Sequence, residues 1–151
     1  MVRRGSPVRV RHWASRDNDQ TMSQENVEFI QRGVGHFIRT GEPAWEQIHP
    51  DVDVHDHDIP DAGQYRGHAG YAKWLEDWGE AWASYTAEPD LFIDAGDKVV
   101  VELKMLAEGS GSGIEIERRD AIVFTVDGGL ITRLDYFNNP DQAHQAAGLR
   151  E

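Results

Sequence analysis

The chain contains no cysteine, which excludes disulfides, thiolate metal ligation and a thiol nucleophile together. It also lacks any apolar run near the roughly 20 residues that a membrane-crossing helix needs, and its start lacks the apolar centre of a secretory signal. The expectation is a cytoplasmic protein with no membrane contact. Positive charge is scarce, with 15 Lys and Arg against 27 Asp and Glu and a net charge of −12. A body that acidic repels phosphate backbones, so no nucleic acid partner is expected. The basic charge is also uneven. Residues 1–22 hold Arg3, Arg4, Arg9, Arg11 and Arg16 against Asp17 and Asp19. That leader has no hydrophobic period, and Met22 stands just before a clean helix start, so it reads as a disordered tail or a start codon placed too early. Residues 23–151 have the length of one packed domain.

The hydrophobic period then changes along the chain. In "TMSQENVEFIQRGVGHFIRTGE", Thr21 and Ser23 are cap candidates, and Val27, Ile30, Val34, Phe37 and Ile38 recur at helical spacing up to Gly41. Gly33 and Gly35 inside that helix cost about 1 kcal/mol each relative to Ala, so close backbone packing or room for a ligand should favour them. "EPAWEQIHP" reads as a short second helix stopped by Pro50. "RGHAGYAKWLEDWGEAWASY" places Tyr71, Trp74, Leu75, Trp78 and Trp82 on one face of a third helix, which reads first as core packing. From Tyr85 the period is two. Four strands follow, "YTAEPDLFID", "DKVVVELKMLAEG", "SGIEIERRDAIVFTV" and "GLITRLDYFN", joined by turn residues as an antiparallel meander. Asn139 as cap, Pro140 in the first turn and Gly148 at the exit frame a short closing helix. The class is α+β.

Between the second helix and the third lies "DVDVHDHDIPDAG", five aspartates and two histidines in 13 residues. His55 and His57 alternate onto one side of a strand and resemble half of a metal site. His36, His49, His68 and His144 show no spacing that brings a third ligand, so no metal is expected and a histidine–carboxylate hydrogen bond at a sheet edge is the simpler reading. Asp56 faces the opposite way from the two histidines. Arg118 and Arg119 read as surface partners of Glu115 and Glu117.

The segments "GEPAWEQIHPDVDVHDH", "YRGHAGYAKWLEDW", "FIDAGDKVVVEL", "FTVDGGLITRLDYF" and "AHQAAGL" resemble the SnoaL-like branch of the nuclear transport factor 2-like superfamily, from about Ser23 to Leu149. The resemblance implies a cone-shaped, cystatin-like α+β barrel. In it a curved mixed or antiparallel sheet wraps around three helices and leaves a blind, mostly apolar pocket for a small apolar molecule. It also implies a homodimer and no cofactor. Members include polyketide cyclases, ketosteroid isomerases, epoxide hydrolases, dehydratases and non-catalytic binding proteins, so the fold does not name the reaction.

Matched to the isomerase pattern, Asp56 takes the position of the general base, where burial against an apolar hollow would raise its pKa. The oxyanion-binding pair of those enzymes falls on Val34 and Ile122, which donate nothing. The epoxide hydrolase pattern would place Asp135 in the site but finds Glu102 and Lys104 where it needs Arg and Asp. The resemblance therefore favours a cofactor-free cyclase, isomerase or lyase on a carbonyl or polyketide-like compound, with Asp56 as base and Tyr136 or Asp120 as donor. Binding without catalysis is the alternative. Phe29, Gly33, His36, Val54, Trp74, Trp78, Ile122, Phe124 and Leu134 are the expected pocket wall. Whether Asp135 or Tyr136 faces inward depends on strand register.

Overall fold

The computed structural model describes residues 9–12, 17–59 and 63–149. Helix α1 (Asp17–Thr40) carries Val27 and Ile30 into the core and ends where Gly41, at φ 77°, turns the chain and donates its N–H to the Phe37 carbonyl at 2.7 Å. The helix begins earlier than its cap candidates, and no proline or glycine interrupts Asp17–Ser23.

The expected second helix is a single 3-10 turn, Trp45–Gln47, and the chain is already extended at Ile48. Pro50 lies inside strand β2 (Ile48–Asp56), near the register shift in the pairing of β2 with β7 (Leu130–Phe137). A proline cannot donate to the ladder and is tolerated at such an irregularity. A short strand β3 (Gln64–Arg66) pairs antiparallel with β2. Helix α2 (Gly67–Glu80) buries Tyr71 and Trp74. Trp82, expected on that helix, opens strand β4 (Trp82–Ala95) instead, although its ring still lies 6.1 Å from that of Trp78.

The meander follows as read from the sequence: β4, β5 (Lys98–Gly109), β6 (Glu115–Asp127) and β7, all antiparallel neighbours. The last helix, α3 (Pro140–Ala146), has Asn139 as its cap, accepting from the Asp141 N–H at 2.8 Å, with Pro140 in the first turn. The sheet is mixed and open, in the order β1-β4-β5-β6-β7-β2-β3. Its first member, β1 (Arg9–His12), runs parallel to β4 and lies in the leader expected to be disordered. The edge of β4 offers unpaired N–H and C=O groups that an extended segment can satisfy.

Alternation along the strands divides the sheet into two faces. One face, with Val54, Val99, Val101, Leu103, Phe124 and Leu134, packs with Val27, Ile30, Tyr71 and Trp74 of the long helices. The other, with Ile93, Val100, Val123 and Phe137, is covered in part by Ala143 of α3 and by Leu149. No helix among the described residues is long and apolar enough to cross a membrane.

Candidate active site

Between the helices and the inner face of the sheet is a cavity of about 150 Å³. Its wall is almost wholly apolar. Along α1, Ile30, Gly33, Val34, Phe37 and Ile38 face it, a stripe at helical spacing. Trp74 and Trp78 of α2, Met105 of β5, Ile122 and Phe124 of β6, and Leu134 and Tyr136 of β7 complete much of the rest. A hollow of this volume and lining holds a guest about the size of one benzene ring.

Seven of the expected residues therefore meet in the cavity: Gly33, Trp74, Trp78, Ile122, Phe124, Leu134 and Tyr136. Phe29 and His36 do not line it, because the inward stripe of α1 is centred on Ile30, Val34 and Phe37, leaving those two on its flanks. Val54 has no exposed surface and belongs to the solid core with Tyr71 and Trp74. Val34 and Ile122, the two positions without donors, are both in the wall.

Gly33 owes its place to a side chain. A Cβ built there would fall 2.2 Å from Oε1 of Gln47. The carboxamide of Gln47 is held over α1 by a 3.0 Å hydrogen bond from Nε2 to the Phe29 carbonyl. The room that glycine provides is thus occupied by the residue that ties the 3-10 turn to the helix.

The polar pole of the cavity lies at the far end of β7. Tyr136 pairs directly with Ile122, so both point inward, and its phenol donates a hydrogen bond to Oδ2 of Asp120, the diagonal neighbour on the same face. Asp120 has no exposed surface. Arg118, next along that face, grips it with Nε to Oδ1 at 2.7 Å and Nη2 to Oδ2 at 3.2 Å, while its guanidinium carbon lies 5.4 Å from the Trp82 ring. Burial opposes the charge on Arg118, and the bonds to Asp120 more than offset it. Burial, and then the adjacent Asp120, push the Tyr136 phenol well above its ordinary range, so it stays protonated.

Asp56 is buried on the same side as Tyr136, its register partner, at 4% exposure. Its oxygens are already engaged. Oδ2 accepts from Trp74 Nε1 at 2.8 Å and Oδ1 from the Asp58 N–H at 3.0 Å. Trp74 lines the cavity and Asp56 does not, so the carboxylate backs the indole. Asp58, half-buried beside it, accepts from the Asn138 N–H at 3.0 Å. Burial pushes the Asp58 carboxyl up, and nearby Asp56 and Asp120 act in the same direction.

The remaining charged candidates lie on the outer face. Asp135 receives two bonds from Arg133, at 2.9 and 3.0 Å, and His57 Nε2 lies 2.8 Å from its Oδ1, with the His57 ring stacked on Phe137 at 4.3 Å. This is the histidine–carboxylate pair expected at the strand edge, and alternation turns Tyr136 inward. Arg119 bonds Asp90 and Glu102 rather than Glu115 or Glu117, and Arg118 bonds Asp120. The sequence reading missed the partners of Arg119, because register brings together residues far apart in the chain, and it missed that Arg118 and Asp120 share the inner face of β6. Among the described residues, no three His, Asp or Glu side chains converge to hold a metal ion.

A SnoaL-like domain model matches residues 42–134. The chain belongs to the SnoaL-like family. Three solved structures illustrate the likeness of fold. A nuclear transport factor 2-like protein from Burkholderia thailandensis is 26% identical, with a TM-score of 0.65, covering 80% of this chain and 95% of that one. TerC, co-crystallized with polyporic acid, is 24% identical with a TM-score of 0.62, over 82% of this chain and 98% of its own. A protein from Jannaschia sp. described as a SnoaL-like polyketide cyclase is 18% identical with a TM-score of 0.63, over 92% and 100%. No protein of curated function matches the chain.

Proposed function

We propose that this SnoaL-like chain binds a small, ring-sized apolar compound and transfers a proton to and from it without a cofactor, as a cyclase, isomerase or lyase does. The observation that carries the reading is the hydrogen bond from Tyr136, a residue of the cavity wall, to a fully buried Asp120. A ligand proton from an acidic carbon or hydroxyl passes to the phenol oxygen as the phenolic proton moves to Asp120. The reverse transfer returns it to another atom of the ligand. The Tyr136 phenol then faces the ligand anion as a donor, taking the part that Val34 and Ile122 cannot play. A carboxylate is a weak base in any setting, so the substrate must itself be acidic, as an enolisable carbonyl flanked by a second activating group is. The polyketide cyclase and polyporic acid neighbours agree in chemistry with such a compound, and the cavity volume restricts it here to about one ring.

Deuterium exchange at the activated carbon of an aryl-substituted β-ketoester, followed by NMR, tests this. The protein should accelerate exchange above buffer, and Tyr136→Phe should remove about 100-fold or more of the acceleration. Equal rates in the two proteins would refute the proposal.

Binding without turnover is the second reading, and the double engagement of Asp56 favours it, since the family's base position is not free. It predicts saturable binding with no exchange. A cytoplasmic homodimer completes the proposal, and native mass spectrometry of the purified protein would show both its assembly and any retained small molecule.

A further inference from the structure

Asp56 is a buried charge without a counterion. At 4% exposure it meets no guanidinium or ammonium group among the described residues. Its two oxygens accept only from neutral donors, Trp74 Nε1 at 2.8 Å and the Asp58 N–H at 3.0 Å. Acceptance at both oxygens is the pattern of an ionised carboxylate. Asp120 differs, because Arg118 balances it. A buried carboxylate left unbalanced is costly, and a cation close by offsets that cost.

The space beside Asp56 is bounded by aromatic rings. Trp74, Tyr136 and Trp78 line one end of the cavity. The Trp74 and Tyr136 centroids lie 5.7 Å apart with planes inclined by 62°, and those of Tyr136 and Trp78 lie 6.3 Å apart at 66°. The rings therefore adjoin as walls and do not stack on one another. Tyr85 continues the wall from Trp78, at 4.6 Å and 88°. The face of an aromatic ring is its negative pole and attracts a cation within about 6 Å of the centroid. Two of these rings are enriched further. Trp74 donates its one polar hydrogen to Asp56 and Tyr136 donates its hydroxyl to Asp120, and each carboxylate polarises the ring that donates to it.

We infer that this end of the cavity binds an alkylated ammonium head, such as a trimethylammonium group, seated against Trp74, Trp78 and Tyr136 with Asp56 as the counter-charge behind the indole. The alkyl groups are what the rest of the wall requires. Ile30, Val34, Phe37 and Leu134 cannot replace the water around a metal ion or a primary ammonium, whereas methyl groups rest on such surfaces and carry the charge in with them. A trimethylammonium head is of the same order of size as the single ring that a cavity of about 150 Å³ admits. The inference rests on the pocket reading above, that the cavity holds a small guest, and adds a positive end to that guest independently of the proton-transfer pair.

Choline and 3,3-dimethylbutanol test this, because they differ only in a charged nitrogen in place of a carbon. Calorimetry on the full chain should show choline binding about tenfold or more tighter than the alcohol. Asp56→Asn keeps an acceptor for the indole and removes the charge, so it should reduce that ratio by about tenfold. Trp78→Leu, which removes a ring face, should reduce it too, with thermal melting reporting that both variants fold. In the wild-type protein the Trp74 indole N–H resonance should move with choline, which separates binding in the cavity from loose association with the acidic surface. A ratio near one in the wild type, or a ratio unchanged in both variants, overturns the inference. Failure of both probes to bind also overturns it, and the β-ketoester exchange then decides separately whether the cavity takes a neutral guest.

Discussion

Tyr136 and Asp120 meet diagonally across β6 and β7, the phenol of one donating to a carboxylate that has no contact with solvent. The arrangement brings the chemistry of an aspartate to an apolar wall while Arg118 carries the balancing charge. Its stability cost on disruption follows from what is left behind. Asp120→Ala strands a guanidinium whose side chain is 26% exposed and can partly rehydrate, so the loss should be about 2 kcal/mol, below that of a fully buried pair. Tyr136→Phe leaves Asp120 still held by Arg118 and should cost about 1 kcal/mol. Urea unfolding of the two variants should give that order.

Asp135 supplies a pH test on the outer face. Burial pushes its carboxyl up, but hydrogen bonds from Arg133 and His57 outweigh this and hold it below the ordinary range. A depressed folded value means that the unfolded chain binds the proton more readily. The stabilisation is therefore complete above the ordinary aspartate pKa near 4 and is lost as pH falls through the lower folded value. Asp135→Asn should be less stable than wild type at pH 6, and the difference should shrink below about pH 4. Unfolding curves across that range check it.

A second outer-face network makes a ranking prediction. Arg119 joins Asp90, through two bonds of 2.8 Å, to Glu102 at 3.0 Å, and His144 of α3 lies 2.8 Å from the other oxygen of Glu102. Arg119→Ala leaves two buried carboxylates without their shared cation and should cost about 3 kcal/mol. His144→Ala leaves Glu102 bonded to Arg119 and should cost about 1 kcal/mol. Chemical denaturation of both would expose a reversed order.

Much of the fold was legible because local signals agreed with tertiary ones. The meander from β4 to β7 and the Asn139–Pro140 start of α3 emerge where alternation, turn residues and capping chemistry coincide. Elements set by pairing rather than by local pattern were not legible. Arg9–His12 and Gln64–Arg66 are short segments that become strands by joining an edge, and Trp45–Gln47 is too short for periodicity to tell a turn from a helix. At the site, alternation turns Asp56 and Asp120 to the inner face as expected, and the strand register decides for Tyr136 the choice between it and Asp135 that the sequence left open. What it could not convey is that Trp74 takes one oxygen of Asp56, or that Gln47 fills the space over Gly33. Both depend on side chains of helices and turns crossing the sheet, which no strand period encodes.

In the proposed reaction, proton transfer runs through Tyr136 to Asp120, and Asp56 holds Trp74 in place. Deuterium exchange at the β-ketoester carbon, compared between Asp120→Asn and Asp56→Asn, tests it most directly. Asp120→Asn should lose about 100-fold or more of the exchange rate, whereas Asp56→Asn, which keeps an oxygen to accept from the indole, should stay within about tenfold of wild type. Exchange abolished in Asp56→Asn and retained in Asp120→Asn would contradict it.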